Sequence, residues 1–383
     1  MVLISSVRSP PGGGSQRIRR RQPGRPARWP AALLLLALCG GPLAAGAQDG
    51  LGLMYANAQG GEKDDAQAVA WLRRAADQGD AGAQFNLAVM YANGRGVPQD
   101  YALAAQWCEK AAVQGNAEAQ TMLGRMYAQG QGVARQEDLA VQWWRRAADQ
   151  GNAAAQDRLG GAYLSGRGVP QDDLQASQWL RKAAEQDHAP AQDTLGTLYE
   201  QGLGVPKDES QAVQWYRRAA EQGLDTAQYN LARQYDFGRG VPRDLASARA
   251  WYGKAADQGY PRAQFNLAVM YANGDGVARD DAQAVRLMRK AATQGHRQAT
   301  FGLGVMYAEG RGVPRNPEAA FALISAVASP DEEMTQYRDM LLTHMPPGQR
   351  ERAERLADEL RATGVNEATM RRLAPESDGQ PAS

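Results

Sequence analysis

The chain has 383 residues, and its 43 lysine and arginine residues nearly balance its 42 aspartate and glutamate residues. A charge so close to zero creates no strong field for phosphate backbones or anionic lipid, so we expect no nucleic-acid partner. None of the three histidines has a Cys or His at metal-ligand spacing, and only Cys108 would remain in a processed chain. We therefore predict no metal site and no cofactor.

The first 47 residues have the pattern of a secretory signal. Arginines cluster between Arg17 and Arg28, an apolar run follows from Ala31 to Cys39, and Ala45-Gly46-Ala47 fits a signal-peptidase site. The apolar run is too short to span a bilayer. We predict that residues 1–47 are a signal peptide cleaved before Gln48. The mature chain would then be periplasmic or secreted, without stable insertion in the membrane.

A period of 36 residues runs through the rest of the chain, as from Tyr55 to Tyr91. The tyrosines in this register are Tyr55, Tyr91, Tyr127, Tyr163, Tyr199, Tyr235, Tyr271 and Tyr307. A second register holds the tryptophans Trp71, Trp107, Trp143, Trp179, Trp215 and Trp251. A fixed period of this length is typical of stacked structural repeats. We predict eight repeats without an insertion.

Each repeat is predicted to be a hairpin of two helices, helix A and helix B. In helix A, residues such as Ala83, Leu87 and Tyr91 form one apolar stripe at helical spacing. Helix A should end at the glycine and proline residues of 94–98, because glycine allows left-handed backbone angles and proline cannot continue a helix. A single hairpin cannot bury both of its stripes, so stacked neighbours must form the core.

Helix B should begin after Asp100, a residue type that caps helix N-termini. It presents Ala104, Trp107 and Ala111 at helical spacing, which predicts a second apolar stripe. Glycines also occur inside helix A, at Gly124 and its equivalents, where each costs about 1 kcal/mol relative to alanine. We expect a neighbouring backbone or a tryptophan ring to fill the space beside them.

This unit resembles the Sel-one-like repeat (SLR), a relative of the tetratricopeptide repeat. Residues 117–152 read almost as its consensus, with Gln136 in place of the usual Asp, and the resemblance covers roughly residues 45–328. It implies an all-α fold, a right-handed α/α superhelical solenoid of eight 36-residue helical hairpins with a helical C-terminal cap. It also implies an adaptor role, commonly in bacterial envelope signalling, secretion or host contact.

The predicted domain boundaries follow from the repeat. Residues 48–328 hold the eight SLR repeats, of which the first is truncated by signal cleavage. Residues 329–372 form C-terminal capping helices, in which Ala353, Leu356, Ala357 and Leu360 make an apolar stripe. Residues 373–383 contain too few apolar side chains to pack and are predicted to be disordered.

No nucleophile elbow or H-E-x-x-H motif occurs in the sequence, and no group of titratable residues suggests an enzyme. We therefore predict a non-catalytic scaffold for another protein or peptide. The alternatives are a periplasmic hydrolase or a small-ligand-binding repeat protein. His188 and His296 occupy solvated turns between repeats. Trp144 is either an exposed binding aromatic or packs against the next helix B.

The positions of helix A that vary most among the repeats indicate where a partner would bind. They are equivalent to residues 86, 89 and 93 and lie on one helical face, which in a solenoid generally lines the concave side. The predicted partner-binding residues are Arg125, Gln129, Arg158, Asn230, Arg233, Phe237 and Asn266. The alternative surfaces are helix B and the turns that contain Arg95, Arg167, Arg239 and Arg311.

Overall fold

The computed structural model describes residues 64–327 and 332–373, and this part of the chain contains α-helices and no β-strand. The helices are α1 (Asp65–Asp77), α2 (Ala81–Asn93), α3 (Tyr101–Val113), α4 (Ala117–Gln129), α5 (Glu137–Asp149), α6 (Ala153–Ser165), α7 (Asp173–Glu185), α8 (Ala189–Gln201), α9 (Glu209–Glu221), α10 (Asp225–Phe237), α11 (Leu245–Asp257), α12 (Pro261–Asn273), α13 (Asp281–Thr293), α14 (Arg297–Glu309), α15 (Pro317–Ser325), α16 (Glu332–Thr343), α17 (Pro347–Thr363) and α18 (Glu367–Leu373). The chain divides into an N-terminal unit, residues 1–114, and a C-terminal unit, residues 115–383. The predicted signal peptide and the first helix A lie outside the described residues.

Repeats two to eight each form the predicted hairpin, with helix A at α2, α4, α6, α8, α10, α12 and α14, each followed by its helix B. The first repeat contributes its helix B, α1. In the N-terminal unit α2 packs against α1 and α3, and in the C-terminal unit each helix from α4 to α15 packs against the next. The predicted all-α solenoid is therefore confirmed in the described residues.

The C-terminal cap is helical, as predicted. Helix α17 packs against α15 and buries Ala353, Ala357 and Leu360 of the predicted stripe, while Leu356 is half-buried against the same core. Leu373 was assigned to the disordered tail, but it ends α18 and is buried in the same core. The predicted start of the tail is therefore one residue too early, because Leu373 follows the buried Met370 at helical spacing. The tail from residue 374 onwards lies outside the described residues.

The turn between helix A and helix B needs glycine for two reasons. Gly94 ends α2 with a φ of 64°, a left-handed conformation that side chains disfavour. Gly96 also has a positive φ, and a Cβ on it would lie 2.2 Å from the carbonyl oxygen of Asp65, in helix B of the preceding repeat. The turn therefore packs directly on its neighbour, and this close approach joins successive hairpins.

Helix B fills the space beside the glycines inside helix A with a side chain and a backbone carbonyl, and at Gly124 the side chain is a tryptophan ring, as expected. A Cβ on Gly124 would lie 2.5 Å from Nε1 of Trp144, the residue after the tryptophan register. The equivalent contacts are Gly160 with Leu180, Gly196 with Tyr216 and Gly304 with Ile324. In helix B the main core position is thus the residue after the repeated tryptophan.

The repeated tryptophans lie instead at the edge of the core. Most are half-buried, although Trp215 is buried. An arginine or lysine three residues later covers each ring, with the cationic group 3.6 to 4.9 Å from the ring centroid. These cation–π contacts shield an aromatic ring that the core only partly encloses.

A buried glutamine in helix A joins successive repeats. Nε2 of Gln156 donates to the carbonyl oxygen of Ala148 at 3.1 Å, and Oε1 accepts from Gln186 at 2.8 Å. The same two bonds occur at Gln84, Gln192, Gln228 and Gln264. Because a buried amide needs partners, these bonds favour one spacing between hairpins. In the C-terminal unit they join each of these helices A to the helix B before it and to the end of its own helix B.

Candidate functional site

The variable face of helix A reaches the surface in the C-terminal unit. The residues in register with Gln129 are all exposed, and they are Gln129, Ser165, Gln201, Phe237, Asn273 and Glu309. By contrast, Ala119 and Leu123 of the apolar stripe are buried. The other two variable registers, those of Asn86 and Val89, are mostly half-buried in the C-terminal unit, so the variable face is only partly exposed.

The predicted partner-binding residues fall into two groups. Arg125, Gln129, Arg158 and Phe237 are exposed, and Phe237 has 57% of its surface accessible. The remaining residues, Asn230, Arg233 and Asn266, are half-buried. The side chains of Arg125 and Arg158 make no hydrogen bond or ion pair with any described residue. Two guanidinium groups on this surface are thus available to a ligand.

Asn230 has a structural contact within the solenoid. Its Nδ2 donates to Oδ1 of Asp193 on α8 at 2.9 Å, while the hydroxyl of Thr226 donates to Oδ2 at 2.8 Å. Burial raises the pKa of Asp193, and these two hydrogen bonds oppose the increase. Asn230 therefore helps to join α8 to α10, a role that its variability among repeats did not indicate.

Asn266 is also engaged, because its Nδ2 donates to the hydroxyl of Tyr252 at 3.0 Å. Tyr252 is a core residue of α11 whose hydroxyl also donates to Asp236 at 3.3 Å. Burial raises the pKa of Tyr252, so it remains a neutral donor and acceptor at neutral pH. Arg233 lies nearby, with its guanidinium carbon 6.0 Å from the ring centroid of Tyr229.

A polar cavity of about 520 Å³ adjoins Arg233 and Asn230. The hydroxyl of Tyr216 reaches it from helix B and donates to Oε2 of Glu200 at 2.8 Å. Glu200 also lies 3.6 Å from the guanidinium of Arg239, in the next turn. The charges here are largely satisfied by one another, so this cavity offers few free groups to a ligand.

A second cavity, of about 300 Å³, lies on α6 in the fourth repeat. Its lining includes the apolar side chains of Trp144 and Leu180, the backbone of Gly161, and the guanidinium groups of Arg158 and Arg167. Of these, only Arg158 was a predicted binding residue. The double glycine 160–161 could have drawn attention to the site from the sequence.

Asp157 and Thr194 complete one side of this cavity. Burial raises the pKa of the Asp157 carboxyl, and electrostatic interactions with His188 and Arg158 oppose the shift. The cavity therefore combines apolar walls with both signs of charge. Such a combination is typical of a site that orients a ligand by a few polar groups.

The remaining chemical candidates have structural roles. Nδ1 of His188 accepts from the amide of Ala191 at 3.4 Å and thereby caps α8, and His296 caps α14 in the same way. Trp144 is buried, with its indole donating to the carbonyl oxygen of Thr121 at 3.2 Å. The exposed-aromatic alternative for Trp144 is therefore wrong, because Gly124 makes room for the ring on helix A of its own repeat.

Neither a metal cluster nor a membrane span is found in the ranges 64–327 and 332–373. They contain no group of three or more His, Cys, Asp and Glu residues arranged to hold a metal ion. None of their helices is both long and apolar enough to cross a bilayer. Cys108 is buried in helix B of the second repeat, where it acts as a small core residue.

The chain matches the family model described as Sel1 repeat eight times. The matched residues are 45–80, 81–116, 117–152, 153–188, 189–224, 225–260, 261–296 and 297–325. These boundaries follow the 36-residue period, and the last match is shorter because α15 leads into the cap. Sel1 repeat proteins are generally protein-interaction scaffolds. No curated protein matches the chain.

Two solved structures share this fold. A Sel1 repeat protein from Oxalobacter formigenes is 34% identical, with a TM-score of 0.59 over 81% of this chain and 89% of that one. A protective antigen of uropathogenic Escherichia coli strains, with an SLR fold, is 29% identical, with a TM-score of 0.55 over 92% of this chain and 98% of that one. The chain belongs to the Sel1 repeat family.

Proposed function

We propose that this protein is a non-catalytic scaffold of the bacterial envelope that binds a segment of another protein along the helix A surface of repeats three to seven. The observation that carries the proposal is the exposed part of the variable face of helix A, where the side chains of Arg125 and Arg158 make no hydrogen bond or ion pair with a described residue. Arginine and aromatic side chains dominate the energetics of protein interfaces. Phe237, which lies on the same face, supplies an exposed aromatic ring.

The packing of the repeats supports a preformed binding surface. The buried glutamines join each helix A to the helices B on either side, and the hydrogen bonds of Asn230 and Asn266 add further links. A surface that is already ordered loses less conformational entropy when a partner binds. The scaffold role therefore needs no catalytic group, only the stacked hairpins and their exposed side chains.

The envelope location rests on the N-terminal pattern, with its arginine cluster, its apolar run and Ala45-Gly46-Ala47. N-terminal sequencing of the protein recovered from the native envelope tests it. We expect the mature chain to begin at Gln48. Recovery of the unprocessed chain from the cytoplasm would contradict export while leaving the binding role open.

The binding role is tested with the mature chain, residues 48–383, immobilised and exposed to envelope extract. Captured proteins are identified by mass spectrometry and their affinity is then measured with purified partner. We expect Arg158→Ala with Phe237→Ala to lose the partner. The matched control, Leu174→Ala with Arg286→Ala, replaces one exposed apolar residue and one exposed arginine on helix B. Equal binding by both double variants would show that the helix A surface is not used.

A further inference from the structure

The cavity on α6 is lined by Gly161, a glycine whose lack of a side chain is not required by the packing around it. A Cβ on Gly160 would lie 2.6 Å from Leu180, so that glycine is needed to admit the leucine. A Cβ on Gly161 would meet nothing within 4 Å, and the residue is exposed. A glycine inside a helix costs about 1 kcal/mol relative to alanine. In Gly161 this cost is not offset by any contact within the described part of the fold.

One rim of the cavity carries an arginine whose equivalents in other repeats are paired. Arg95 forms an ion pair with Asp65 at 2.7 Å, and Arg311 forms one with Asp281 at 2.9 Å. In both cases the carboxylate lies 30 residues earlier, at the start of the preceding helix B. Arg167 occupies the same position of the fourth repeat, but its guanidinium makes no hydrogen bond or ion pair with a described residue.

Glu137, which also lines the cavity, is the residue equivalent to those two aspartates. Glu137 forms its ion pair with Arg135, which lies two positions before it in the chain. Arg167 lies at the cavity with a guanidinium group that no described side chain pairs. Arg158 lies on the same cavity, in a position where the other described repeats have no charged residue. Two exposed cationic groups thus flank the apolar walls.

These features coincide in a single repeat. The fourth repeat alone combines a glycine at the position of Gly161, an arginine at that of Arg158 and an unpaired arginine in the turn. The volume of about 300 Å³ is at the lower limit of ligand cavities. It is suited to one large side chain, with Trp144 and Leu180 providing apolar contacts. Carboxylates beside that side chain could reach the two arginines.

We infer that the Gly161 cavity anchors a large apolar side chain of the partner, set in an acidic segment whose carboxylates bind Arg158 and Arg167. The inference rests on the proposed function, because it specifies the kind of protein segment that the helix A surface would bind. Arginine recognises carboxylates by two parallel hydrogen bonds, which gives both affinity and orientation. Apolar burial in the cavity would supply the anchor of the interaction.

The test uses fluorescently labelled short peptides and the mature chain, with binding followed by fluorescence anisotropy. One peptide has a central tryptophan flanked by glutamates, the second has alanine in place of tryptophan, and the third has lysines in place of the glutamates. We expect saturable binding of the acidic tryptophan peptide. Either replacement in the peptide should weaken binding by about tenfold or more, as expected for loss of a hot spot.

Gly161→Leu fills the cavity without a clash in the helix, since the space beside Gly161 is open. It should reduce affinity for the acidic tryptophan peptide by about tenfold or more. Gly253→Leu is the matched control, because Gly253 lies inside a helix B and also has nothing within 4 Å of its Cβ position. Both variants should keep or raise the melting temperature, and only Gly161→Leu should lose binding.

The arginines are tested separately by Arg158→Gln with Arg167→Gln, which leaves the cavity open. This variant should lose the preference for the acidic over the basic peptide. Arg311→Gln, which replaces an arginine that is already paired, should keep that preference.

Absence of saturable binding by the unmodified protein, or equal binding by Gly161→Leu, would overturn the inference. If Gly161→Leu still captures the envelope partner that the unmodified protein captures, the cavity inference fails and the scaffold role stands. If the unmodified protein captures no partner, the scaffold role fails.

Discussion

The indole of Trp144 occupies the space that a side chain on Gly124 would need, since a Cβ there would lie 2.5 Å from Nε1. Gly124→Ala should therefore destabilise the protein by roughly 1–3 kcal/mol, the usual cost of overpacking a core. Adding Trp144→Cys should restore part of the stability, because the second repeat has the pair Ala88 and Cys108, both fully buried. Urea unfolding of the unmodified protein and of these two variants measures this. A Gly124→Ala variant as stable as the unmodified protein would contradict the close packing.

Core and surface residues of α10 should respond oppositely to truncation. Leu231 is completely buried, so Leu231→Ala should cost roughly 2–5 kcal/mol of stability. Phe237→Ala should leave the melting temperature nearly unchanged and weaken partner binding by about 1–4 kcal/mol if the ring is a hot spot. Thermal unfolding and titration with the purified partner separate the two effects. A large loss of stability in Phe237→Ala would show that its ring supports the fold.

The N-terminus of α5 lacks the cap that its counterparts have. Asp172 accepts from the amide of Gln175 at 2.9 Å, whereas Gln136 makes no capping hydrogen bond with its side chain. Gln136→Asp should therefore raise the free energy of unfolding by about 0.5–2 kcal/mol, and Asp172→Ala should lower it by a similar amount. Denaturant unfolding of both variants provides the check. No change in either variant would mean that these caps contribute little to the solenoid.

His296 should make stability depend on pH. Its Nδ1 accepts from the amide of Ala299 at 3.2 Å, which requires a neutral ring, and burial together with the charge of Arg262 lowers the pKa of His296. The unfolded chain then binds a proton more readily than the folded chain, so stability should fall as the pH decreases below about 6.5. Melting temperatures between neutral and mildly acidic pH measure the decline.

The control for this pH dependence is His296→Asn. Asn116 and Asn152 cap the equivalent helices by accepting from the amides of Ala119 and Ala155. An asparagine can accept this hydrogen bond at any pH, so the variant should lose part of the decline in stability on acidification. A pH profile identical to that of the unmodified protein would exclude His296 as a contributor.

The repeated architecture could be predicted from the sequence because its signals are local. The 36-residue period, the glycine turns and the spacing of residues such as Ala83 and Leu87 each specify a helix, its end or its buried face. Backbone angles and helical periodicity depend on neighbours a few positions away. These signals were sufficient for the hairpins and for most of the exposed face of helix A.

The roles of individual side chains depended on packing between helices. Helix B buries Trp144 rather than Trp143 at its main core position, and Asn230 joins two helices. Arg167 has no ion pair with a described residue, although its equivalents Arg95 and Arg311 do. Each outcome depends on which side chain a neighbour 20 or more residues away presents at a few ångströms. The period of the sequence determined that the hairpins stack. Only the tertiary structure decided which side chains make contacts between stacked hairpins and which, around Gly161, remain accessible.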